Sequence, residues 1–142
     1  MSTMQNRAAS LRHEAEVEFL ARALLAETDG RSLRGMEALA AIVVNRLRAA
    51  RSPGGPTWWG TELGRVVAHD DAFPAGPRAP RDDETEALAA CRRIAARAAV
   101  GALPDPTRGA TRWHHVGSVP FWADGHAPTL VVGSWVFYRV GA

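Results

Sequence analysis

A carboxylate stands in this chain where a helix should carry a hydrophobe. Val17, Leu20, Ala21, Leu24 and Leu25 recur at the i, i+3, i+4, i+7, i+8 spacing of an amphipathic helix, and Glu27 follows Leu24 and Leu20 on that pattern. Asp29 and Gly30 mark the helix end, so Glu27 falls in the last turn. There the negative pole of the helix and partial desolvation both oppose ionisation. A carboxylic acid that keeps its proton near neutral pH is what general acid catalysis of glycosidic bond cleavage needs. The same spacing also fits a solvated helix-end glutamate.

Other residues offer rival chemistry. A hydrolytic glycosidase usually sets a second acid about 5 to 9.5 Å from the first, and Asp29, Asp70, Asp71 and Asp124 are the candidates at loop positions. Asp29 reads more simply as a turn residue. His114, His115 and His126 raise the different possibility of a zinc amidase or peptidase. A zinc site needs three or four ligands on one scaffold, whereas neighbours on a strand point to opposite faces, so His114 and His115 do not readily share a metal. Asn45, polar amid Ile42, Val43 and Val44, either faces a cleft or ties down a facing loop. Five tryptophans suit either a sugar groove or a small core. Trp122 is expected to line the groove and Trp135 to be buried, while at least one of Trp58 and Trp59, in a Pro/Gly-rich loop, is expected to touch a ligand or partner.

These side chains need a scaffold, and 142 residues suffice for one domain with its own core. The hydrophobic share of 46% and charged share of 23% are those of a globular chain, not a disordered one. All 17 basic residues are arginine, yet acids are interleaved with them and the formal net charge is only +2, so no basic stripe for nucleic acid forms. Cys91 stands alone, which leaves no internal disulfide and suggests a buried structural thiol. No apolar run is long enough for a transmembrane helix, and the N-terminal segment lacks the apolar stretch of a signal peptide.

Residues 1–13 read as a flexible leader and 14–142 as the single domain. Helices are expected over about Glu14 to Thr28, after a Ser32 cap through MEALAAIVVNRLRA, over ELGRVVA with a Thr61 cap, and over about Asp83 to Val100 with Gly101 as its stop. The last forty residues turn aromatic and β-branched: ATRWHH and TLVVGSWVFYRV read as short strands, the second broken at Gly133 and Ser134 in a hairpin turn. The fold class is α+β, with a helical N-terminal two-thirds and a small C-terminal antiparallel β-sheet.

Several segments, in order, resemble the SleB-type cell wall hydrolase family typified by the spore cortex-lytic enzyme: LARALLAETDG, GMEALAAIVVNRLR, GALPDPTRGATRWHH, PFWADG and TLVVGSWVFYR. They span Val17 to Arg139. The resemblance implies a lysozyme-like catalytic domain that cuts the glycan strands of peptidoglycan, with Glu27 matching the catalytic glutamate. It also places Asp29, Asn45, Phe73, Thr111, His114, Trp122 and Tyr138 as substrate-binding candidates, Thr111 and Tyr138 as donors to Glu27 or to sugar hydroxyls. There are departures. Arg31 stands where the family commonly has Glu, AFPA around Phe73 replaces a Gln-Phe-Ser-Cys motif, and Trp135 stands where a histidine is often found.

The chemistry expected on this footing is a lytic transglycosylase reaction giving a 1,6-anhydro-N-acetylmuramic acid product, with one catalytic Glu, no metal and no cofactor. The alternatives are a hydrolytic muramidase with a second carboxylate, a non-catalytic glycan-binding or phage-like particle module, and the zinc amidase or peptidase. Peptidoglycan glycan strands are the expected partner and a monomer suffices. Action is expected at the cell wall or periplasm. Without an export signal in the chain, that implies a cytoplasmic stay before release or another route such as a holin or phage-like particle.

Overall fold

The computed structural model describes residues 3–69 and 71–140. Four helices come first, α1 (Thr3–Thr28), α2 (Leu33–Arg51), α3 (Leu63–Ala68) and α4 (Thr85–Ala99). A three-stranded antiparallel sheet follows, β1 (Arg112–His115), β2 (Leu130–Val132) and β3 (Trp135–Tyr138), with a 3-10 turn at Phe121–Ala123 between β1 and β2. This is the α+β architecture expected, helices first and sheet last. Among the described residues, no helix is long and apolar enough to cross a membrane.

Helix α1 begins at Thr3 rather than near Glu14. Apolar periodicity reports burial, and residues 3–15 are exposed throughout, so the pattern is silent there. The stretch has no Gly or Pro and is rich in good helix formers, which lets the helix extend into solvent. From Leu20 onward α1 is buried, packing chiefly on α4. Glu18 accepts from Arg92 of α4 at 2.7 and 2.8 Å and from Arg22 at 2.7 Å. The Arg92 bond, helped by Arg22, outweighs the cost of burial and draws the Glu18 carboxyl down to about 2.

The α1–α2 turn fixes where Glu27 points. The Thr28 hydroxyl donates to the Leu24 carbonyl at 2.8 Å, and the chain then takes left-handed conformations at Asp29 (φ 51°) and Gly30 (φ 72°). A β-carbon on Gly30 would lie 2.7 Å from that of Ala87, so glycine also permits close approach of α4. Ser32 caps α2 as expected, accepting from the Gly35 N–H at 2.9 Å. The cap expected from Thr61 at α3 is absent. Glu62 takes the cap position without a side-chain bond, and Glu16 of α1 instead accepts the Gly64 N–H at 2.7 Å. Helix α4 starts at Thr85, slightly later than expected, behind a loop closed by the Arg78–Glu84 fork, both arms at 2.7 Å.

In the sheet the order is β1-β3-β2, with the last strand in the middle. Every side chain of β3 is buried, as a central strand covered on both faces requires. Trp135 and Phe137 join the main core against the helices, whereas Val136 and Tyr138 pack under the 3-10 turn with Ala123 and Trp122. Register sets His115 directly opposite Trp135 and His114 opposite Val136. Cys91 is a buried thiol against Met36, as expected, and burial pushes it up to about 11.

Candidate active site

Glu27 lies in the last turn of α1 with its side chain only 7% exposed. One carboxylate oxygen, Oε2, accepts the Trp135 indole N–H at 3.2 Å and lies 3.1 Å from His115 Nε2. The cross-strand pair His115 and Trp135 thus grips one oxygen of the acid. Trp135 reaches α2 because Gly35 has no side chain: a β-carbon there would sit 2.9 Å from the indole. An N–H of indole only donates, so Oε2 is the acceptor oxygen of the pair.

His115 also lines a cleft of about 240 Å³, together with Arg46, Asp71, Pro74, Arg112, Trp113, His114, Ser118, Pro120 and Trp122. Its wall is largely aromatic. Trp113 meets His115 edge-on at 5.1 Å, and Trp122 meets His114 at 5.9 Å and Tyr138 at 5.3 Å. Beneath lies Arg46, wholly buried, donating to the Thr111 carbonyl and to Asp71, each at 2.8 Å, with its guanidinium 4.6 Å from the Trp59 ring. His69 binds the same Asp71 oxygen at 2.8 Å. Burial alone would raise the Asp71 carboxyl, yet the hydrogen bond and charge of Arg46, with His69, hold it below the usual carboxylate range. Desolvation draws Arg46 down in spite of the same bond. A guanidinium keeps its proton regardless, so the pair is ionic.

The expected site residues divide. Glu27, His114 and Trp122 gather at or beside the cleft. Asp29 is exposed and engaged with Arg78 at 3.1 Å, a turn residue tied to the α4 loop. Asn45 serves as a tie: its amide donates to the Ala110 carbonyl at 2.8 Å and to Asp105 at 3.1 Å. Asp105 in turn accepts the N–H groups of Thr107 and Gly109, each at 2.8 Å, which fixes the PDPTRGAT turn. Thr111 donates to the Val140 carbonyl at 2.7 Å, and Asn45 and Thr111 line a separate depression of about 530 Å³. Phe73 belongs to the core. Tyr138, stacked on His114 with its hydroxyl 3.0 Å from Nε2, supports the cleft wall from behind. Neither Thr111 nor Tyr138 reaches Glu27: alternation along β3 turns Tyr138 to the face opposite Trp135, and the Thr111 hydroxyl is spent on the Val140 carbonyl. Trp58 is 48% exposed beside Trp59, which is buried.

Among the other acids, Asp71 lines the cleft, Asp124 is exposed beyond the 3-10 turn, and Asp70 lies outside the described residues. His114 and His115 point to opposite faces, one to Tyr138 and one to Glu27. Sequence reasoning missed His115 and Trp135 as partners of Glu27. The available signal was the strand pairing itself, since any register that buries Phe137 against Trp113 brings His115 opposite Trp135.

Fold and site together define a small helical domain with a carboxylic acid set against an aromatic cleft. The model of the family described as Cell Wall Hydrolase matches residues 30–138, and the chain belongs to that family. By family it is a peptidoglycan-acting enzyme of the cell wall. The matched span takes in His115 and Trp135 and opens just after Glu27. Among solved structures, the catalytic domain of the Bacillus cereus SleB protein has the same fold, with a TM-score of 0.63 and 19% identity over 88% of this chain and 90% of that one. No curated protein matches.

Proposed function

We propose that this cell wall hydrolase is a lytic transglycosylase that cleaves the bond between N-acetylmuramic acid and N-acetylglucosamine, with Glu27 as its acid and base. The supporting observation is the setting of Glu27: a nearly buried carboxyl beside an aromatic cleft, with two nitrogen partners on one oxygen and, among the described residues, no arginine paired with it. The Trp135 N–H holds Oε2 as an acceptor, with His115 beside it, which leaves Oε1 to carry the transferable proton.

In the reaction, Oε1 gives its proton to the glycosidic oxygen as the bond from that oxygen to muramic acid C1 breaks. The carboxylate then takes the proton of the C6 hydroxyl while that oxygen attacks C1, closing the 1,6-anhydro ring. Glu27 ends as it began, so no second carboxylate, metal or cofactor takes part. A second reading rests on Asp71, a carboxylate on the cleft wall kept ionised by Arg46 and His69. In a hydrolytic muramidase it would assist attack by water.

Mass spectrometry of fragments released from purified peptidoglycan separates the readings. Anhydro-muropeptides from wild type, and none from Glu27→Gln, are expected. Reducing-end products would give the reaction to hydrolysis and Asp71. Cleaved stem peptides on intact glycan would sink the glycosidase reading, and release of nothing would leave a glycan-binding module. A monomer acting at the wall, delivered by a holin, a phage-like particle or another route, completes the proposal.

A further inference from the structure

Among the described residues, one cation of the cleft has no hydrogen-bond or ion-pair partner. Arg112, the first residue of β1, lies with its guanidinium 5.3 Å from the Trp122 ring and 5.2 Å from the Trp58 ring. Its Nε is buried without a hydrogen-bond partner, and among the described residues its side chain forms no ion pair. The other described charges facing the cleft do not neutralise it. Asp71 is committed to Arg46 and His69, and Arg46 is a like charge. A guanidinium held in place by aromatic rings but lacking an anion is organised for a ligand that brings one.

We infer that Arg112 forms a carboxylate-binding subsite in the cleft that His115 also lines, which receives an anionic group carried by the muramic acid residue of the glycan. The inference rests on the glycan-cleaving reading. A planar guanidinium binds a carboxylate through two parallel N–H bonds, and the rings of Trp58 and Trp122 hold that of Arg112 in place. In peptidoglycan the carboxylates hang from the lactyl group of muramic acid, either as the free lactyl acid or as the acids of the attached peptide. Polymers of N-acetylglucosamine carry neither, and muramic lactam has its carboxyl locked in a ring. The subsite therefore selects peptide-bearing or peptide-stripped wall glycan over neutral or lactam-rich strands.

The test is titration calorimetry on the uncleaving Glu27→Gln chain with three glycan fragments of equal length. One bears stem peptides, one is stripped to free lactyl carboxylates, and one is stripped with the lactyl carboxyls converted to amides. The amide form is expected to bind about tenfold to a hundredfold more weakly than at least one carboxylate form, the range of a charged hydrogen-bonded pair. The tighter of the two carboxylate forms names the source. Adding Arg112→Gln should bring the ratio to about one, and circular dichroism checks that this variant folds. Equal affinity for all three fragments with Arg112 intact overturns the inference without any variant, as does a ratio that survives Arg112→Gln. Binding is read without turnover, so failure of wild type to yield glycan products removes the transglycosylase reading while the carboxylate preference is still measured.

Discussion

Two nitrogens meet on Oε2 of Glu27, and they differ in kind. The Trp135 indole is buried and always protonated, whereas the His115 ring is half exposed and opens to the cleft. Trp135 is therefore the fixed clamp of the acid. Replacing it with Phe keeps most of the ring packing and deletes the N–H. The expected result is a fall in kcat of about tenfold, the worth of one hydrogen bond to a charged group. Melting temperature measured alongside should stay within a few degrees, and an unchanged kcat would remove Trp135 from the site. Glu27 was singled out in the sequence by a charge on an apolar helix face and, more firmly, by the family resemblance. Its partners were not, because they come from strands 88 and 108 residues away whose contribution depends on register. Tyr138 and Thr111 looked equally suited by type, and only strand alternation at Tyr138 and the bond of Thr111 to the Val140 carbonyl assign them elsewhere.

At the scale of elements, the α1–α2 turn aims the acid, and Gly30 is its constrained point. Gly30→Ala forces an L residue to φ 72° and drives its β-carbon toward Ala87. A loss of about 1–3 kcal/mol in unfolding free energy is expected by urea titration. Stability equal to wild type would mean that the turn does not constrain α4. The helices were readable from their spacing and from the Ser32 and Gly101 signals, since burial and capping are local properties. The start of α1 was not, because its first turns bury nothing. Nor was the Glu16 bond to α3, a contact between helices with all of α2 between them in sequence. Both strand segments were visible, yet the central place of β3 was not written in local propensity. Its uninterrupted burial explains it after the fact.

Across the whole molecule, arginine–carboxylate links join the elements that surround the site. Glu18 binds α1 to α4, Glu84 closes the loop before α4, and Asp71 anchors Arg46 beneath the cleft. Arg92 draws Glu18 to about 2, Arg78 draws Glu84 to about 2, and Asp71 lies below its usual range. Carboxyls lower in the folded than in the unfolded chain contribute stability above their unfolded values and lose it as pH falls through the folded ones. Melting temperature should thus hold between pH 7 and about 5 and fall steadily from about 4.5 toward 2. A melting temperature that rises over that acid window would contradict the assignment.

The claim on which the account turns is that Glu27 is the acid and base of glycan cleavage. The most direct measurement is the rate of release of anhydro-muropeptides from purified peptidoglycan by Glu27→Gln against wild type, with both proteins shown to melt at similar temperatures. A loss of at least about a hundredfold is predicted, the low end for removing a general acid and base. Glycan products released by the variant at the wild-type rate would contradict it.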